Sequence, residues 1–305
     1  MITKFATLLA GLVLVMATVV SAFGQQIADP TFNVSVATPA YSKNFPRVLF
    51  DEAHNNFHLT TGRYKPFADL ITHDGYNVIA NRQNFTKASL SSFKILVIAN
   101  ALGAEDLDDD GADQPAFTEA ESDAVRDWVR AGGALLLIAD HAPFGSAAQV
   151  LAKRFEVEMS KGFVFDPANS MPDTRSLLIF SRENKLLIDH PIVQGRNESE
   201  RVNRVLTFTG QALKGPPTAG VIMKLSDTAR DAPSRTAPES TSVAGQAQGL
   251  AFKFGKGRVV MLGEAAMLSA QIMGPQKSPM GMNVPGSDNR QFALNLMHWL
   301  SGILK

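Results

Sequence analysis

The sequence predicts an α/β fold of the flavodoxin-like kind, a three-layer sandwich with a mainly parallel sheet and an inserted β-rich edge. Three observations predict it. Apolar runs such as Ile95-Leu96-Val97-Ile98 and Ala134 to Ala139 are continuous rather than alternating, which marks strands buried on both faces. Segments with apolar residues at helical spacing alternate with those runs, and alternation implies a parallel sheet with right-handed crossovers. Three runs stop on acidic or imidazole side chains: Arg47 to Phe50 on Asp51-Glu52-Ala53-His54-Asn55-Asn56, the 134–139 run on Asp140-His141, and Arg258 to Gly263 on Glu264. In an open parallel sheet ligands bind beyond the C-terminal strand ends.

Taken in order, residues 1–24 read as a secretion signal. Lys4 is basic, Phe5 to Val20 is apolar, and Ala22 and Gly24 are small residues before Gln25. The alternative is an uncleaved anchor; no Cys follows that stretch, so a lipid-anchored Cys is excluded. Residues 25–45 are polar and irregular, an arm lying over the domain. A single domain fills 46–305. Its first strand is Arg47 to Phe50. Tyr64, Phe67, Leu70 and Ile71 form a helix that ends near Asp74-Gly75, and Asn77 to Ala80 is a second strand. Thr118-Glu119-Ala120-Glu121 is a capping box opening a helix that Gly132-Gly133 stops. A helix over about Ser146 to Phe155 follows the strand at 134–139, with Ser146 as its cap. Between 160 and 225 short β-like runs (Gly162 to Phe165, Leu177 to Phe180, Val205 to Thr209, Gly220 to Leu225) form the inserted edge. Residues 226–248, rich in Ser, Thr, Pro, Ala and Gly, read as a mobile loop. A hairpin turns at Lys256-Gly257, and two helices close the chain, the last burying Phe292, Leu296, Trp299, Leu300 and Ile303.

Composition narrows the chemistry. The 305 residues hold 29 basic and 29 acidic side chains, so nothing suggests an electrostatic footprint for nucleic acid. The Cys count is zero, which removes thiol nucleophiles, thiolate ligands and disulfides. After the leader no segment approaches the ~20 apolar residues that span a bilayer. The chain is expected to be exported, to the periplasm or beyond.

The order Val-Leu-Phe-Asp-Glu-Ala-His, an acid-rich loop, a helix ending Arg-Ala-Gly-Gly, the strand and elbow Leu-Leu-Leu-Ile-Ala-Asp140-His141, and Gly-Arg-Val-Val-Met-Leu-Gly-Glu264 resembles the class I glutamine-amidotransferase-like superfamily. The resemblance spans about residues 46–303. It is nearest to an exported bacterial branch carrying Asp-Glu-x-His after the first strand, and is similar to the trehalose-utilisation-protein branch, where a His stands at the elbow. The superfamily's elbow nucleophile is a Cys. Here the elbow reads Ala139-Asp140-His141-Ala142, so glutamine hydrolysis by a thiol does not carry over.

Three readings of the strand-end residues stay open. His54, His141 and Glu264, with Asp51 and Asp140 in reach, would suit a divalent metal such as Zn with an open position for water. Without a metal, His141 or His54 is a general base, oriented by Asp140, Asp51 or Glu264. Otherwise Asp51 and Asp140 cap the structure that follows their strands, and the histidines serve the scaffold. Asp51, Glu52, Asn55 and Asn56 are candidate substrate-binding residues. Elsewhere, Asp106 to Gly111 imitates a calcium loop but has Phe117 where the bidentate Glu belongs. Ser146 falls too late for a nucleophile elbow. His73 sits near a helix end, His190 in a loop, His298 on the outer edge of the last helix, and His58 either in a pocket or in a solvated loop. The expected function is an exported hydrolase acting on a small polar or carbohydrate-like substrate. The alternative is a non-catalytic ligand- or carbohydrate-binding domain of a cell-envelope system.

Overall fold

The computed structural model describes residues 26–172 and 174–305, so the leader lies outside the described residues. The apolar runs pair into one nine-stranded sheet. Its strands are β1 (Arg47–Asp51), β2 (Asn77–Asn81), β3 (Ile95–Ala99), β4 (Ala134–Ile138), β5 (Glu158–Met159), β6 (Leu213–Lys214), β7 (Gly220–Lys224), β8 (Ala247–Phe254) and β9 (Gly257–Leu262). The spatial order is β2-β1-β3-β4-β9-β8-β6-β5, with β7 also on β8. From β2 to β9 every pairing is parallel; Ile98 faces Leu137, and Leu137 faces Met261. From β8 outward every pairing is antiparallel. The fold class is therefore the one the sequence predicts.

Alternation along each buried strand sends successive side chains to opposite faces. Val48, Phe50, Val97, Leu136, Ile138, Val260 and Leu262 share one core with α1 (Lys65–His73) and α4 (Asn289–Ser301). Leu49, Leu96, Ile98, Leu135, Leu137, Val259 and Met261 share the other with α2 (Glu119–Ala131) and α3 (Phe144–Lys153). Two cores explain why the runs are apolar at every position. The α2 capping box forms between Thr118 and Glu121, and Gly132 ends the helix at φ 126°.

Several details differ from expectation. Helix α3 starts at Phe144 after Pro143, so Ser146 lies inside its first turn and is not its cap. The mid-chain runs do not all join the main sheet. Phe163–Phe165 pairs with Arg230–Ala232, which pairs with Thr241–Ser242, so 226–248 is partly ordered by strands too short for a periodic signal. Leu177–Ser181 and Arg204–Phe208 form a separate ribbon. Only one long helix closes the chain. Before it come a 3-10 turn (Ala266–Leu268) and a hairpin of Ala270–Met273 with Ser278–Gly281, to which Ile27–Ala28 of the arm adds a third strand. His298 is not on an outer edge but fully buried, its Nε2 2.8 Å from Asp74 Oδ2. No helix among the described residues is long and apolar enough to cross a membrane.

Candidate functional site

Strands β3, β4 and β9 are neighbours, and just past their C-terminal ends stand Asn100, Asp140 and Glu264. All three line one cavity of about 360 Å³, with His141, Arg63 and Arg235. Phe57, Leu107, Phe144 and Phe208 supply apolar wall.

The elbow after β4 is held from two sides. Asn100, at φ 52°, accepts a hydrogen bond from the Asp140 N–H at 3.0 Å. Gln211 Nε2 donates to the carbonyls of Ala139 and Asp140 at 2.8 and 2.9 Å. The amide of Gln211 fits because residue 145 is Gly; a Cβ there would collide with Gln211 Oε1. This bracing aims His141. Its Nδ1 lies 2.8 Å from the Ala142 carbonyl, which only accepts, so Nδ1 carries the proton. Arg235 Nη2, which only donates, lies 2.9 Å from Nε2. The ring is thus the neutral tautomer with its lone pair on Nε2. Asp140 Oδ1 accepts the His141 N–H at 2.7 Å and lies 3.9 Å from Nε2. Phe163 stacks on the imidazole with centroids 4.5 Å apart.

Glu264 is fully buried at the cavity floor. Burial drives its pKa well above the usual carboxylate range, and the charge of Asp140 drives it further. Hydrogen bonds from the N–H groups of Ala266 and Met267, at 2.6 and 2.8 Å, oppose that rise without cancelling it. Next to it Thr209, a β-branched residue, is held at φ 72°, and Gly210 follows at φ 79°, where a Cβ would approach Glu264 Cβ to 2.8 Å. Backbone strain of this kind concentrates at functional sites.

The residues after β1 go elsewhere. Asp51 is fully buried and both of its oxygens lie 2.9 Å from His54 Nδ1. His54 Nε2 lies 3.0 Å from Glu121 Oε1. A ring that donates from both nitrogens to carboxylates is an imidazolium. Burial opposes that charge, but Asp51 and Glu121 outweigh it and hold the pKa above the ordinary value. Phe85 and Phe117 pack on the ring, each with centroids 4.7 Å away. Asn56 and Asn81 donate to Asp51, and Glu52 accepts from the Thr60 N–H and hydroxyl. Asn55 is exposed at φ 48°. Asp51, His54 and Asn56 therefore build a buried bracket with Glu121, Glu52 holds Thr60 beside it, Asn55 faces outward, and none of the five residues after β1 lines the cavity. The expected set of His54, His141 and Glu264 does not line one cavity, because the loop after β1 turns His54 onto Asp51 and Glu121, where both ring nitrogens are taken. Among the described residues no three His, Asp or Glu side chains gather as a metal site, so the expected Zn ligands do not fit such an ion.

The same loop does deliver His58 and Phe57 to the cavity. Asn100 follows its strand as directly as Asp51 ends β1, so the strand-end rule applied to β3 finds it. Arg63, Arg235, Gln211 and Gln271 carry no such signal; they arrive through loops and the closing hairpin. The Asp106 to Asp113 loop contributes Leu107 to the wall, and its acidic side chains stay at the surface. His190 caps the short helix Pro191–Gln194, and His73 bonds the Asp69 carbonyl at an exposed helix end.

No family model matches the chain, and no curated protein matches it either. Among solved structures it is similar to the mmIFT52 N-terminal domain, with a TM-score of 0.60 and 12% identity, covering 84% of this chain and 97% of that one. It is also similar to a cytoplasmic protein from Salmonella typhimurium LT2, with a TM-score of 0.51 and 15% identity, covering 83% and 99%. A ThuA-like protein from Bacteroides uniformis aligns over 89% of this chain and 95% of its own, with a TM-score of 0.43 and 13% identity. At these identities the first two likenesses show the fold alone.

Proposed function

We propose that this chain is an exported hydrolase of a small polar or carbohydrate-like substrate, on a glutamine-amidotransferase-like scaffold that has lost the thiol. One observation carries the reading: a single cavity holds an imidazole with its lone pair on Nε2 and a buried carboxyl whose pKa is pushed up. A ring nitrogen carrying a lone pair and a carboxyl that burial favours in its protonated form, in one cavity, are the complementary halves of general base and general acid catalysis. Nε2 of His141 takes a proton from water as the water oxygen attacks the electrophilic carbon. Asp140, 3.9 Å away, stabilises the imidazolium that forms. Glu264 gives its proton to the departing oxygen or nitrogen, and the bond to carbon breaks. The imidazolium then returns its proton to Glu264 through solvent. Arg235 must leave Nε2 for the base to act, so substrate entry displaces it.

The test is a hydrolysis screen of esters, amides and glycosides, followed by His141→Asn and Glu264→Gln. Each variant should lower kcat by about 10²–10⁴, the usual worth of one general acid or base. The second reading is a non-catalytic binding domain. It is favoured by the Arg235 contact that occupies Nε2 and by the backbone bonds that occupy Glu264. Ligand binding by the wild type without turnover across the screen would select it.

A further inference from the structure

The same cavity is also lined by residues whose buried polar atoms lack partners. Arg63 lies there, half-buried, its Nε donating to the Gln26 carbonyl at 3.2 Å and its guanidinium 4.4 Å from the Phe57 ring centroid. Among the described residues no carboxylate pairs with it. His58 is 4% exposed and stacks on Tyr64, with centroids 4.5 Å apart; its Nδ1 has no partner. Gln271 is 1% exposed. Its Nε2 is committed to Ser269 Oγ at 2.7 Å, while its Oε1 has no partner. Buried polar side-chain atoms in native proteins nearly always have partners.

We infer that Arg63, His58 and Gln271 form a subsite for the anionic end of the substrate, a carboxylate or phosphate monoester adjoining a hydrogen-bond donor. Each residue defines one part of that ligand. A guanidinium pairs with an oxyanion through two parallel N–H donors. Gln271 Oε1 accepts only, so it calls for an N–H or O–H beside the anion. His58 is held neutral, its pKa lowered to about 3 by burial and then by the Arg63 charge, so its ring adds a hydrogen bond without adding charge. Phe57, edge-on to His58 at 5.3 Å, and Tyr64, stacked on it at 4.5 Å, fix the ring, which spares the ligand the cost of ordering the site. The inference rests on the hydrolase reading for its substrate, but the subsite is defined by binding.

The experiment is calorimetric titration of the chain with N-acetylglycine, glycerol 1-phosphate, acetate and the neutral N-acetylglycinamide, on the wild type, Arg63→Gln, Arg63→Lys and Gln271→Leu. Thermal midpoints confirm that each variant folds. The expected result is binding of N-acetylglycine or glycerol 1-phosphate, which separates the carboxylate from the phosphate source, and at least tenfold weaker binding of the amide. Arg63→Gln should weaken the bound anion about tenfold to a hundredfold. Arg63→Lys should restore part of that loss. Gln271→Leu should weaken N-acetylglycine and leave acetate, which has no donor, unchanged. Equal binding of the amide, an Arg63→Gln variant that binds like wild type, or no binding of either anion overturns the subsite. Anion binding without hydrolysis of any ester or amide leaves the subsite standing and removes the hydrolase. Turnover of neutral substrates with Arg63→Gln indifferent does the reverse.

Discussion

At the scale of single residues, His54 and His58 lie four positions apart and respond to pH in opposite senses. His54 is held above its ordinary value of 6.5, so its contribution to stability is complete below that value and is lost as pH rises through the folded pKa. Its partner Glu121 is held below 4.5: burial raises its pKa, but the bonds from His54 and Thr118 lower it further. Its contribution is complete above that value and is lost on acidification. The bracket is therefore strongest between the two. His58 does the reverse. Its folded pKa of about 3 lies below the unfolded value, so acidification from 6.5 favours the unfolded chain. By pH 4.5 this costs on the order of 3 kcal/mol, since each pH unit below 6.5 costs about 1.4. Urea midpoints measured from pH 7 to 4.5 should fall less in His58→Asn than in the wild type. His54→Leu should cost about 3 kcal/mol at pH 6, because it removes the cation that balances two buried carboxylates and leaves them only their neutral hydrogen-bond donors. Sequence names these histidines but does not tell them apart. His54 and His58 share one loop, and only the position of Glu121, on a helix that follows two intervening strands, decides which of them is saturated.

Among elements, the elbow after β4 shows how a loop is made rigid. Gln211, from the segment leading into β6, satisfies two buried carbonyls that no strand partner reaches. Gln211→Leu preserves the bulk and removes both bonds. It should cost about 2–6 kcal/mol in a denaturant melt, since each of the two stranded carbonyls carries a penalty of ~1–3, and on the proposed hydrolase reading it should lower activity by freeing His141. Gly210→Ala meets both a positive φ and the Gly263 carbonyl at 2.5 Å, so it should destabilise by more than about 1 kcal/mol and disturb Glu264. The parallel strands and both capped ends of α2 are legible because their signals are local: unbroken apolar runs, Thr118 with Glu121, Gly132. The sequence suggests a helix where the 3-10 turn and the Ala270–Met273 hairpin stand because Ala265, Leu268 and Ile272 fall at i, i+3 and i+7, a spacing that imitates one helical face. The strands at Arg230 and Thr241 escape sequence reasoning because two or three residues cannot show alternation.

For the whole molecule, the strand order concentrates chemistry at one edge, and that edge is legible in the sequence wherever a strand announces itself. Asp140, His141 and Glu264 can be placed there because β4 and β9 are both unmistakable. Asp51 and His54 cannot, because adjacency along an edge does not say which way a loop folds. Part of the cavity wall comes from segments far apart in the chain: Gln26 beside Ile27–Ala28, and the hairpin that carries Gln271 and Met280. A form starting at residue 46 loses that strand, the Gln26 anchor of Arg63 and the packing of Phe32, Val34 and Val36 on the core. Its thermal midpoint should drop by several degrees, and its anion affinity should fall further than its stability does. The pairing of Ile27 with Ile272 also sets an order of events. During synthesis β1 to β4 and their helices can form early, yet the cavity cannot close until the Ala270–Met273 strand has emerged. Until then the unfinished protein has its elbow but lacks the wall that Gln271 and Met280 supply.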